Sequence, residues 1–261
     1  MNLKIILPIL ILMSFATPSF CADQVITIGT LEDYAPFCQK IQDREPDGVF
    51  PPHTDSKGFE GYSWDVVRES FHEMGYTITL IVTPWARAMR NLQDGTVDVL
   101  FPAGKNTERQ KQLHFSKEPV NQANFLIYVR KSDPIEWKDL QSLDGLQIGV
   151  KRGFNYGDKW KATKNIQKQS VNTILQGFKM LDFKRLDGFA GYEINWDYVL
   201  RKAHLENKYK KLPVFDHTNE YLIALKKNPR SIAILKAFDT GKQRLMANGK
   251  THEIEKKWSG Q

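Results

Sequence analysis

The sequence predicts an α/β protein of two lobes, each a mostly parallel sheet flanked by helices, with the chain crossing between the lobes twice. Three observations carry this reading. Short β-branched runs alternate with helical stretches along the chain, the order that builds parallel, doubly wound sheets. A second such alternation starts after Asp133-Pro134, so the pattern divides in two. Strand-like connections near residues 125 and 218 then give the chain two places to pass from one lobe to the other. At 261 residues there is enough chain for two modest domains with their own cores. The expected division is 23–124 with 219–261 for the first lobe and 125–218 for the second.

Residues 1–22 have a basic start at Lys4, an apolar run over 5–15 and a small or polar finish over 17–22. That is the layout of a secretory signal, and the run is too short to span a bilayer. A cut at or after Cys21 leaves Cys38 alone, whereas a cut after Ala16 keeps Cys21 and permits a Cys21–Cys38 bridge. The stretch Pro18-Ser19-Phe20-Cys21 lacks the leucine and the small residue of a lipid-attachment box, so the expectation is a soluble exported protein.

Residues 25–30 (VITIGT) alternate as a strand, and 31–37 follow as a loop carrying Tyr34. Residues 39–57, rich in Pro, Asp and Gly and without period, read as a long surface loop. Ser63 is placed as the cap of a helix whose Trp64, Val67, Phe71 and Met74 share a face, with Gly75 as its stop. A β-branched strand over 77–82 precedes Pro84, which suits the first turn of a helix over 85–93. Gly95 ends that helix, 97–101 make a buried strand, 102–107 a cationic loop, 107–112 a short helix and 124–130 a strand. The second alternation has strands at 147–150, 166–170, 186–190 and 212–215, with helices near 171–181 and 193–203. A strand at 221–225, a long helix over 229–248 and a helical tail to Trp258 are expected to return to the first lobe.

The composition, 41% hydrophobic and 26% charged, is that of an ordinary soluble protein. The net charge of +7 falls to +6 if Lys4 leaves with residues 1–22, which hold no acid. No basic stripe interleaves aromatics, so the lysines of 208–211 and 242–257 read as solvated helix faces and nucleic acid is not an expected partner. The six histidines lack zinc-ligand spacing, and no HExxH, paired-cysteine, phosphate-loop or Gly-x-Ser-x-Gly motif occurs. No cofactor, metal or catalytic set is therefore expected. Asp98, Asp187 and Glu193 lie in or near strands and read as capping or solvated carboxylates rather than acid/base groups.

In open α/β sheets, ligands sit past the carboxyl ends of strands. Segment 84–119 brings a helix, a buried strand and a polar turn to such an edge, and Arg109 is its candidate anchor for an anionic group. A guanidinium holds a carboxylate with two parallel hydrogen bonds; the competing role is a surface arginine paired with Glu108. Tyr34 and Trp85 each begin the segment after a strand and would make walls for planar, apolar or cationic groups, with ordinary core as the alternative. Gly153 stands before an expected helix start, where free amides attract anions.

Five landmarks follow in order: IGTLEDYAPF (28–37), GYSWDVV (61–67), LQDGTVDVLFPAGKNTERQKQLHFSKEP (92–119), LDGLQIGVKRG (143–153) and RLDGFAGYE (185–193). Together they resemble the bacterial extracellular solute-binding proteins of family 3, the amino-acid-binding type. The resemblance implies a type II periplasmic-binding-protein fold that closes on a small molecule, is monomeric and periplasmic, and is not an enzyme. It implies delivery to an ABC permease, or presentation to a membrane sensor. A dehydratase-like enzyme on the same scaffold is the further alternative, with Glu193 as its first acid/base candidate.

By the same resemblance, Arg109 matches the carboxylate-binding arginine, and Tyr34 and Trp85 fall at the aromatic clamp. Phe154 takes the place of a hydroxyl residue after Gly153, and Pro102 and Gly104 stand where hydroxyl residues are common. The acid that grips an α-ammonium group falls at Tyr192, with Glu193 one place later. The expected ligand set is Arg109, Tyr34, Trp85, Gly104, Gly153, Phe154, Tyr192 and Glu193. These departures point away from an ordinary α-amino acid, toward a small anionic or polar-aromatic solute.

Overall fold

A computed structural model describes residues 24–258. Strand β1 (Gln24–Thr30) leads through β2 (Asp33–Tyr34), β3 (Cys38–Lys40), β4 (Gly48–Phe50) and β5 (Phe59–Glu60) to helix α1 (Tyr62–Glu73). Next come β6 (Tyr76–Val82), α2 (Trp85–Asp94), β7 (Val99–Gly104), α3 (Thr107–Gln112) and the long β8 (Leu113–Arg130). The middle of the chain holds β9 (Gln147–Lys151), α4 (Gly157–Ala162), β10 (Gln167–Val171), α5 (Ile174–Asp182), β11 (Gly188–Tyr192), α6 (Glu193–Lys202) and β12 (Tyr209–Lys211). Strand β13 (Asp216–Leu225) returns to the first lobe, and α7 (Ser231–Ala247) and α8 (Lys250–Trp258) complete it.

One sheet runs through both lobes in the order β10-β9-β11-β8-β13-β7-β1-β6-β4. In the first lobe β1 pairs parallel with β6, from Gln24 against Tyr76 to Thr30 against Val82, and parallel with β7 on its other side. In the second lobe β9 lies between β10 and β11, parallel to both. The two halves meet at β8 and β13, which pair antiparallel from Phe125 against Asp216 to Leu113 against Leu225. These are the two crossover strands the sequence leads one to expect.

Each lobe ties its parallel strands together with the same device. The Asp98 carboxylate accepts from the Thr27 amide at 3.0 Å while the Asp98 amide donates to the Thr27 carbonyl at 2.9 Å. In the second lobe Asp187 does the same with Gln147, at 2.8 Å in both directions. Both carboxylates therefore hold strand starts, the capping role expected of them. Helices α1 and α7 pack on one face of the first lobe, with Phe71 and Phe238 rings 6.0 Å apart. In the second lobe the Phe178 ring meets those of Phe189, Tyr128 and Tyr209 at 5.2, 5.3 and 4.6 Å.

Several local expectations are corrected. The cap of α1 is Gly61, not Ser63, whose hydroxyl donates to Asn121 at 2.8 Å. Gly61 is required there because its φ is 144° and a Cβ would collide with the Phe37 carbonyl. The segment 39–57 is not one loop: it contributes to β3 and carries β4, which pairs with β6 at the sheet edge. Pro102, Ala103 and Gly104 continue β7 rather than forming a loop. Residues 212–215 are irregular, the strand being β12 just before them. Gly95 ends α2 with a φ of 78°, as expected. Cys38 is buried and accepts from the Thr30 hydroxyl at 3.7 Å; Cys21 and the expected leader 1–22 lie outside the described residues.

Candidate ligand-binding cleft

The parallel strands of the two lobes turn their carboxyl ends toward a common cleft. Residues just past β1 (Leu31, Tyr34), β6 (Trp85) and β9 (Gly153, Phe154, Asn155), together with Pro102 within β7 and Tyr192 at the end of β11, line one small cavity. Arg109, from the start of α3, and Glu220, from the crossover strand β13, complete its wall. The closed form leaves about 20 Å³ there, room for roughly one water.

Arg109 is positioned by its own helix start. Asn106 caps α3 by accepting from the Arg109 amide at 2.8 Å, and Nη1 of Arg109 donates to the Gly104 carbonyl at 2.9 Å. The guanidinium lies 5.4 Å from the Trp85 ring centroid, a cation–π arrangement. Burial lowers its pKa, while Tyr192 and Glu220 pull it upward. Nε and Nη2 carry no hydrogen bond to any described residue.

Glu220 is 3% exposed. Its Oε2 accepts from the Tyr34 hydroxyl at 2.7 Å and from Asn121 Nδ2 at 2.6 Å. Burial pushes its carboxyl above the ordinary range, against the lowering pull of those two donors and of the Arg109 charge. Tyr34 and Tyr192 are themselves driven well above the usual phenol range, chiefly by burial.

The second lobe closes with aromatic rings and backbone. Phe154 stands edge-on to Tyr34 at 5.9 Å and 5.1 Å from Tyr192, and Tyr192 is 5.8 Å from Tyr34. The Tyr192 hydroxyl donates to the Asn155 carbonyl at 2.5 Å. The Asn155 side-chain nitrogen is buried and has no partner among the described residues. Gly153, at φ 79°, lets the second lobe approach the Trp85 ring, which a Cβ would meet at 3.3 Å. Four contacts pin the lobes together around this cavity: Lys151 to Asp33 at 2.5 Å, Gln39 to Tyr198 at 3.2 Å, Thr107 to Asp158 at 3.1 Å, and Asn195 to the Ala35 carbonyl.

Six of the eight residues anticipated from sequence line the cavity: Tyr34, Trp85, Arg109, Gly153, Phe154 and Tyr192. Gly104 stands behind it as the carbonyl partner of Arg109. Glu193 points away, accepting from Lys211 at 2.8 Å and Asn124 at 3.1 Å, so it does not replace the acid absent at Tyr192. Gly153 does not open a helix either, since α4 begins at Gly157 after a Tyr156 cap. Asn155 and Glu220 line the cavity without being among the residues expected from sequence. Among the described residues no group of three or more His, Cys, Asp or Glu could hold a metal ion.

Facing strand ends across two crossover strands define the type II periplasmic-binding-protein class. The profile of the bacterial extracellular solute-binding proteins, family 3, matches residues 26–261, and the chain belongs to that family. A "Probable histidine-binding protein" of Campylobacter jejuni subsp. jejuni serotype O:2 is 27% identical over 146 residues, 56% of this chain and 51% of that protein. The matched region thus spans about half of that relative. Among solved structures, a histidine kinase sensor domain with similarity to periplasmic binding proteins superposes with a TM-score of 0.74 at 18% identity, covering 90% of this chain and 96% of that one. An ABC uptake transporter substrate-binding protein from Streptococcus pneumoniae with bound histidine gives 0.73 at 19% identity, covering 91% and 93%. At such identities the likeness is one of fold.

Proposed function

We propose that this chain is a periplasmic solute-binding protein that captures a small polar or anionic, amino-acid-like molecule between its lobes and passes it to an ABC importer. The lobes divide at 124/125 and 218/219. One observation carries the reading: Arg109 lines a cavity shared by both lobes, held by Trp85 and Gly104, with Nε and Nη2 uncommitted. Tyr34 and Trp85 flank the solute from the first lobe, and Gly153, Phe154 and Tyr192 close on it from the second. The histidine bound in the pneumococcal structure and the name of the Campylobacter relative agree with this class. The likeness to a kinase sensor domain supports a second reading, in which the loaded protein is presented to a membrane receptor. Recovery of a permease or a kinase by the loaded chain separates the two.

The binding reading is tested by melting the chain in the presence of histidine, arginine and the other amino acids and small acids. A solute at about 100 times its dissociation constant adds about 2.7 kcal/mol, which for a chain of this size raises the melting point by roughly 5–10 °C. Arg109→Gln is expected to abolish that rise. A rise of the same size in the variant removes Arg109 from the site.

A further inference from the structure

The space between the lobes is filled by the chain itself. About 20 Å³ is left there, room for roughly one water, whereas an amino-acid-like solute has several non-hydrogen atoms. Phe154 is the second-lobe ring that reaches across. It stands edge-on to Tyr34 of the first lobe at 5.9 Å, with Tyr192 and Trp196 of its own lobe at 5.1 and 5.7 Å. Beside it Gly153 lies against the Trp85 ring. Rings of the two lobes thus meet one another directly where a solute would come between them.

Phe154 is carried as a fixed part of the second lobe. Its amide donates to the Lys151 carbonyl at 3.1 Å, which closes a tight turn. The Tyr156 hydroxyl accepts from the Lys151 amide at 3.0 Å, and the Tyr192 hydroxyl donates to the Asn155 carbonyl at 2.5 Å. The ring therefore moves with its lobe, and room for a solute comes from parting the lobes. The same turn holds them together. The Lys151 side chain is only 5% exposed; its Nζ lies 4.5 Å from the Phe154 ring centroid and donates to the Asp33 carboxylate of the first lobe at 2.5 Å. Removing one partner of a buried ion pair leaves an uncompensated charge, so this lysine favours the joined lobes. Neither Lys151 nor Asp33 lines the cavity.

Resting on the small-solute reading for what the cleft takes up, we propose that Phe154 is a built-in plug and the Lys151–Asp33 pair its latch. Together they give the chain a self-closed state that competes with solute. Loading then occurs from the parted form, with the plug drawn back from Tyr34. The apparent affinity is the intrinsic one reduced by the fraction of chains that are parted. Affinity is thus set in part by Asp33, which lies outside the cavity and acts through the latch alone.

The test reads the lobes and the affinity separately, on the full chain stripped of solute by unfolding in guanidinium and refolding. Small-angle X-ray scattering compares wild type, Phe154→Ala and Asp33→Ala. The stripped wild type is expected to scatter as this closed arrangement does, and both variants to show a larger radius of gyration. Calorimetry with histidine, arginine and the remaining amino acids as probes should find affinity raised in each variant by roughly 3- to 10-fold, the equivalent of one aromatic pair. The Asp33 side chain is half-exposed, so its variant also covers the case in which Phe154→Ala does not fold. A stripped wild type with parted lobes, variants that scatter as the wild type does, or an Asp33→Ala affinity that is unchanged or lower overturns the plug and latch and leaves the solute-binding reading standing. Failure of every probe to bind wild type and both variants overturns the small-solute reading and, with it, the competition.

Discussion

Burial and donors oppose each other at Glu220, and burial wins, so its carboxyl binds a proton more readily in the folded chain than in the unfolded one. Between the ordinary glutamate value of about 4.3 and its raised native value, the native state holds more protons. Stability from this group is therefore fully present below the ordinary value and is lost as pH rises through the native one. Its neighbours do not confuse the reading, because Tyr34, Tyr192 and Cys38 are all pushed upward and stay neutral in that window. Melting the wild type and Glu220→Gln across pH 4 to 8 should show the variant gaining on the wild type as pH rises; a constant difference would contradict the assignment. The residues at this site were unequally legible in sequence. Arg109, Tyr34 and Trp85 follow strands that can be read, and strand ends point to the ligand edge. Glu220 sits in His217-Thr218-Asn219-Glu220, a polar run that looks like loop, and becomes a buried cleft group only through pairing with β7 and β8.

Elements with a strong local period were readable: β6, α2, α3, α6 and α7 fall within a residue or two of their expected bounds. Those set by long-range pairing were not. The first half of β8 contains Ser116-Lys117-Glu118-Pro119, which has no strand pattern, yet it is strand because β13 lies along it. Likewise β4 sits in a Pro- and Gly-rich run and is ordered by pairing with β6. Helix packing holds another such detail in Gly241 of α7, where a Cβ would lie 2.0 Å from the Ser70 carbonyl of α1. Alanine is the better helix former by about 1 kcal/mol, but overpacking costs about 1–3 kcal/mol, and here the obstacle is backbone. Gly241→Ala should therefore destabilise the chain despite its gain in propensity, as read from its urea midpoint; a more stable variant would show that α1 and α7 can part without loss.

At the scale of the molecule, two half-sheets share a single continuous sheet only through β8 and β13, and the lobes otherwise touch at the cleft. Polar contacts there join Lys151 with Asp33, Gln39 with Tyr198, Thr107 with Asp158 and Asn195 with Ala35, and ring contacts join Tyr34 with Phe154 and Tyr192. Aromatic rings fill the space between, leaving a cavity about the size of one water. A solute larger than a water is therefore held only with the lobes further apart than in this form, which the hinge motion of two-lobed binders allows. The most direct test is mass spectrometry of what leaves the chain on denaturation, for wild type and Arg109→Gln purified side by side from the same cells. One small molecule per chain, bearing an acidic group and depleted in the variant, is the predicted result. A molecule lacking the acidic group, or one retained equally by Arg109→Gln, would contradict the account.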